Sequence, residues 1–135
     1  MKALFASYAC TLVVFVVLDL VWLGIVAKPL YQGGVGHLLA KQPNVPVAVV
    51  FYCLYALGLM VFAVAPHGAA ATWRGTLVAA ALFGFFAYAT YDLTNLATLR
   101  DWPTGLTLLD MAWGTVLSTL AAAGGKAALD AVAAY

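Results

Sequence analysis

The sequence predicts an all-α protein: a four-helix transmembrane bundle with antiparallel, up-down spans. Three observations predict it. Of 135 residues 66% are hydrophobic and the mean hydropathy is +1.02, whereas soluble domains are about 45–50% apolar. Charged residues make up 8% of the chain, against about 25% in a soluble domain, too few to clothe a water-facing surface. Finally, four apolar segments reach the roughly 20 residues that a helix needs to cross the hydrocarbon core.

The first span is read at about 3–27, ALFASYACTLVVFVVLDLVWLGIVA. Cys10 comes before any apolar signal core, and no small-x-small site follows the run. It is therefore read as a retained helix and not a removed leader. Lys28-Pro29 ends it, because the residue before proline is pushed out of helical geometry. The long connection 28–45 contains YQGGVGHLLAKQPN and suits a re-entrant or interfacial segment. The second span, about 46–65, has Asn44 as N-cap with Pro46 two residues on. Pro66-His67-Gly68 separates it from the third span, about 73–99. The fourth, about 103–124, starts at Pro103 with Asp101 as expected N-cap. Lys126 and Asp130 fall in GGKAALDAVAAY, read as a short exposed tail. The chain is treated as one integral membrane domain, multi-pass and expected in a bacterial inner membrane.

Several function classes drop out. A net charge of +1 with no basic run leaves no nucleic-acid footprint. No phosphate loop, GxGxxG, HExxH or GxSxG is present. Cys10 and Cys53 lie inside apolar runs and are too few for a disulfide scaffold. Basic residues tie between the two sides, Lys2, Arg74 and Lys126 against Lys28, Lys41 and Arg100, so orientation is undecided.

The informative residues are acids inside apolar helices. An aspartate at mid-membrane costs about 2.5–3.5 kcal/mol on insertion scales. Asp19 lies eight positions before Ala27, Asp92 seven before Leu99, and Asp110 seven after Pro103. At 1.5 Å per residue all three sit roughly 10–12 Å below one face of the bundle. Tyr52 and Tyr55 reach a similar depth in the second span, and Trp22, Tyr88, Tyr91, Thr94, Asn95, Thr107 and Trp113 fall in or near the same slab. Tyr88, Asp92 and Asn95 share one stripe at i, i+4 and i+7. Gly84 and Gly114 would let backbones approach on those faces. The Lys28–Val45 connection, with Tyr31, His37 and Lys41, would cover the mouth of this layer. LDLVWLGIVAKP and YDLTNLATLRDWP also form a weak internal repeat built on an Asp-Leu pair.

YDLTNLATLRDWP followed by LLDMAWGTVLST, with LDLVWLG near the N-terminus and GHLL and FYCLYALGL between, resembles a family of small four-span bacterial membrane proteins filed as a domain of unknown function. The likeness runs over nearly the whole chain. It implies a four-helix inner-membrane protein and no activity.

Three readings of the polar layer follow. In the first it is a pocket for a membrane lipid or small amphipathic ligand. Asp92, Asp110 and Asp19 would serve as candidate catalytic acids or bases. Tyr52, Tyr55, Tyr88, Tyr91, Asn95, Trp22 and Trp113 would form its walls, with Lys28, His37, Lys41 and Arg100 at the rim meeting an anionic group. In the second, a proton-coupled transporter uses the acids as its relay. In the third the layer only joins helices through hydrogen bonds worth about 0.6–2 kcal/mol each. No cofactor is expected. A metal on Asp19, Asp92, Asp110 and His37 ranks low, because no ligand spacing supports it. A homodimer is compatible with the pseudo-repeat.

Overall fold

The computed structural model describes residues 1–135, and every regular element in it is helical. Helix α1 (Lys2–Val21) continues through a wider π-type turn, Trp22–Val26. Short α2 (Lys28–Val35) and a 3-10 turn, Gly36–Leu38, occupy the long connection. Helix α3 (Val45–Leu59) runs on through a second π-type turn, Met60–Val64, and a 3-10 turn, Ala65–His67. Helices α4 (Trp73–Thr98) and α5 (Thr104–Ala133) complete the chain. Four of these stretches are long and apolar enough to cross a membrane: Lys2–Val26, Val45–His67, Trp73–Thr98 and Thr104–Ala133. The expected four-helix bundle is therefore the fold. Helices suit an apolar medium because each satisfies its own backbone polar groups.

The helices form a ring. Helix α5 packs extensively against α1 on one side and α4 on the other, and α3 lies against α1. Side-chain pairs show that neighbours run antiparallel: Ser7 meets Gly125 and Asp19 meets Trp113 across α1 and α5. Across α1 and α3, Ser7 meets Met60 and Asp19 meets Tyr52. The fourth side of the ring is incomplete. Close backbone approach between α3 and α4 is confined chiefly to the π-type turn Met60–Val64, and α3 proper reaches α4 only through side chains, with Gly58 and Tyr55 against Phe83.

Small residues set the tight contacts. A Cβ on Gly84 would strike the Gly114 carbonyl and the Ser118 side chain, and one on Gly114 would enter the Tyr88 ring. One on Gly125 would collide with Thr11 Oγ1, and one on Gly58 would lie 2.6 Å from Phe83. These are the close approaches expected at Gly84 and Gly114, plus two more. Large apolar side chains such as Phe5, Ile25, Val47, Leu54, Phe86 and Leu108 point outward, as helices surrounded by lipid require.

Helix ends agree with the sequence at one cap and differ at others. Asn44 accepts from Val47 N–H at 3.2 Å, with Pro46 in the first turn. Asp101 does not cap α5. It takes φ +60° in the preceding turn, and α5 begins at Thr104 after an extended Pro103. Trp102 precedes that proline and is disfavoured in helical geometry, which pushes the helix start past it. The fourth helix does not stop near 124 but reaches Ala133. Lys126 is consequently no part of an exposed tail. It is fully buried, donates to the Gly68 carbonyl at 3.0 Å and pairs with Asp130 at 2.7 Å, while Asp130 also accepts from Ala70 N–H. The end of α5 thus holds the α3–α4 connection.

Candidate functional site

The unclosed side of the ring leads into a cavity of about 440 Å³. Helices α1, α3, α4 and α5 each contribute to it at the level where the sequence places the polar layer. Asp19, Asp92 and Asp110 all line it, and so do Tyr52, Tyr55, Tyr88 and Tyr91. Counting positions from each span end places these residues at one depth, because helical rise converts count into depth.

The three acids sit in different surroundings. Asp19 is fully used: Tyr52 donates to Oδ2 at 2.8 Å and Trp113 Nε1 to Oδ1 at 3.3 Å, so one carboxylate joins α1, α3 and α5. Asp110 accepts the Tyr31 hydroxyl, which joins α5 to α2. Tyr31 in turn accepts from Trp22 Nε1 at 3.2 Å. Burial, and then the hydrogen bond to Asp110, raise the Tyr31 pKa well above its ordinary value. Its hydroxyl therefore keeps its proton and acts as donor. Asp92 sits beside Asp110. It is 1% exposed, and its Oδ2 has no hydrogen-bond partner. A buried polar atom left unpaired costs about 1–3 kcal/mol, more when charged.

Aromatic rings frame this group. Trp22 and Trp113 stack on one another with centroids 4.3 Å apart. They hold Tyr31 and Asp19 from behind and do not themselves line the cavity. Phe15 stacks on Tyr55 at 4.6 Å, and Tyr55 meets Phe83 and Tyr88 edge-on. Tyr55 also shares a 2.7 Å hydrogen bond with Ser118. This aromatic floor separates the cavity from the opposite half of the bundle.

Other expected residues are not brought in. Asn95 is only half-buried and lies off the cavity. Thr94 faces outward, with its hydroxyl bonded to carbonyls of its own helix. Lys28, His37, Lys41 and Arg100 are exposed, and none lines the cavity. Their helix or loop positions match the rim in depth, but their side chains leave for the surface, as long cationic chains do when a wet region is in reach. Asp19, Asp92, Asp110 and His37 do not gather into a metal-binding group of three.

The sequence places the 28–45 connection, with Tyr31, over the mouth of the layer, but not the other residues of the roof. Tyr31, Val35 and Leu39 from the 28–45 connection and Trp102 and Leu106 from the start of α5 cover the cavity. Trp102 stands at a span edge, where tryptophan is expected as an interfacial anchor, yet it donates to Thr107 Oγ1 at 3.0 Å and meets the Tyr91 ring edge-on. A Cβ on Gly34 would lie 3.0 Å from Pro103, so α2 sits directly on the start of α5. The signal available was composition alone: an aromatic and apolar connection between spans is unusual for a solvated loop.

The fold and this site define a class: a four-helix membrane protein with an acid- and tyrosine-lined cavity inside the bundle. The family model described as "Predicted membrane protein (DUF2177)" matches residues 4–127. The chain belongs to that family. No curated protein and no solved structure matches it.

Proposed function

We propose that the protein binds a lipid-like or amphipathic small molecule in this cavity. The observation that carries the reading is buried Asp92, whose Oδ2 has no hydrogen-bond partner and which lines a cavity of about 440 Å³, a size within the range of about 300–1,000 Å³ seen for small-molecule sites. The cavity's shape favours an amphiphile over a water-soluble ligand. Its roof is closed by apolar and aromatic side chains, while its side opens between α3 and α4. Phe51 and Tyr91 line the cavity and are also exposed on the outer surface of those helices. A head group can reach Asp92 through that gap while its tail stays in lipid.

The other readings have narrower support. Hydrogen bonding between helices describes Asp19 well, since both its oxygens are used, but it leaves Asp92 Oδ2 without a partner. A transport route would have to pass the Tyr55 floor and the Gly84–Gly114 contact, where the helices touch.

Ala87 lines the cavity wall. Ala87→Trp fills the space without touching an acid. In native mass spectrometry from mild detergent, the wild type should carry a bound amphiphile and Ala87→Trp should not. An equal adduct in both would remove the cavity as the site.

A further inference from the structure

We infer that the occupant of this cavity presents a protonated amine to Asp92 and Asp110. The inference rests on the amphiphile-binding reading above and names the head group. Charge comes first. Every charged side chain lining the cavity is acidic: Asp19, Asp92 and Asp110. The nearby cations Lys28, Lys41 and Arg100 have turned away and are exposed on the outside, as is His37. A buried carboxylate needs a countercharge or hydrogen-bond donors, and an anionic head group would add to the imbalance.

Donor supply is the second argument, independent of the first. Three donors around the site are already committed to the other two acids. Tyr52 and Trp113 serve Asp19, and Tyr31 serves Asp110. Asp92 Oδ2 receives none, although the residue is buried to 1% exposure and lines the cavity. The vacant position therefore calls for a donor. An ammonium offers three donors and no acceptor, which allows it to serve Asp92 and the neighbouring Asp110 together. An alcohol offers one donor and no charge.

The walls contribute as well. Tyr88 and Tyr91 also line the cavity, and an aromatic ring attracts a cation placed over its face. Acids below and tyrosine faces beside them form a set that attracts a cation by two separate mechanisms.

The experiment uses the full chain, purified in maltoside detergent at neutral pH, and three probes of equal chain length: dodecylamine, dodecanol and dodecanoate. Binding is read by titration of intrinsic tryptophan fluorescence and by native mass spectrometry. The amine should bind the wild type about tenfold or more tightly than the alcohol, since a charge-assisted hydrogen bond contributes about 1.5–3 kcal/mol. Dodecanoate should bind weakest. Asp92→Asn should bring the amine down to the level of the alcohol. Equal binding of all three probes, abolished in Ala87→Trp, would overturn the amine assignment and leave the amphiphile site standing. Preference for dodecanoate would overturn it too. No binding by any probe would overturn both. If Asp92→Asn does not fold, the order of the three probes on the wild type decides alone. Phosphatidylethanolamine, tested beside dodecylamine, distinguishes a lipid head group from a simple amine as the source of the ammonium.

Discussion

The two halves of the bundle are built on opposite plans. In one half, α1, α4 and α5 meet through Gly84, Gly114, Gly124 and Gly125, where side chains and, at Gly84, the Gly114 carbonyl fill the space a Cβ would need. Apart from Lys126 and the unpartnered Thr76 hydroxyl, its polar groups are small and used within the wall. Ser7 donates to the Gly125 carbonyl at 2.7 Å, and Thr11 to the Ser7 carbonyl at 2.9 Å. In the other half the contact side chains are tyrosines, tryptophans and aspartates, α3 stands away from α4, and one carboxylate oxygen is unpaired. Small residues permit contact between helices, and large polar ones hold helices apart and leave space. The closed half supplies stability, and the open half spends some of it on a cavity.

That contrast can be broken from the closed side with the largest effect. Gly114→Val would drive a branched side chain into the Tyr88 ring. The expected loss is at or beyond the top of the range of about 1–3 kcal/mol typical of overpacking, read as a fall in the thermal unfolding midpoint in detergent. Retention of the wild-type midpoint would mean the halves do not differ in tightness as described. A smaller effect should separate two acids of the open half. Asp19→Ala strands the Tyr52 hydroxyl and the Trp113 indole N–H and should cost about 1–3 kcal/mol. Asp92→Asn removes no hydrogen bond from Oδ2 and relieves its neighbour Asp110. Its unfolding midpoint should equal or exceed that of the wild type. If both variants lose stability equally, Asp92 is a joint like Asp19. The smallest effect belongs to Thr94→Val on the outer face of α4, whose hydroxyl bonds only its own helix. A change within about 0.5 kcal/mol is expected there, and a larger one would place Thr94 against a partner.

The weak repeat shows where equivalence in sequence ends. Asp19 and Asp92 both head an Asp-Leu pair about two turns from the end of a span. Asp19 faces α3 and α5 and finds donors on each. Asp92 lies beside Asp110 of α5, and its Oδ2 finds no donor. The motif sets depth, and the neighbouring helix sets the partner.

Lys126 marks a different boundary. A basic residue after Gly-Gly near the end of the last span resembles a frayed tail. The spacing of Lys126 and Asp130 at i, i+4 within an alanine-rich run was the signal for a continuing helix. Its burial against the Gly68 carbonyl could not be read, because that contact joins positions far apart in the chain.

The sequence by itself determined that this is a membrane protein with four helical spans and that its acids share one level. Those properties follow from hydropathy, span length and helical rise, all local to each segment. Tertiary structure alone decided which acid is satisfied and which is open, that Val35, Leu39, Trp102 and Leu106 join Tyr31 in the roof, and that Lys28, Lys41 and Arg100 turn outward. Each of these depends on how four helices rotate and splay against one another, and that is set by steric contacts at a few glycines and aromatic rings, which no single segment encodes.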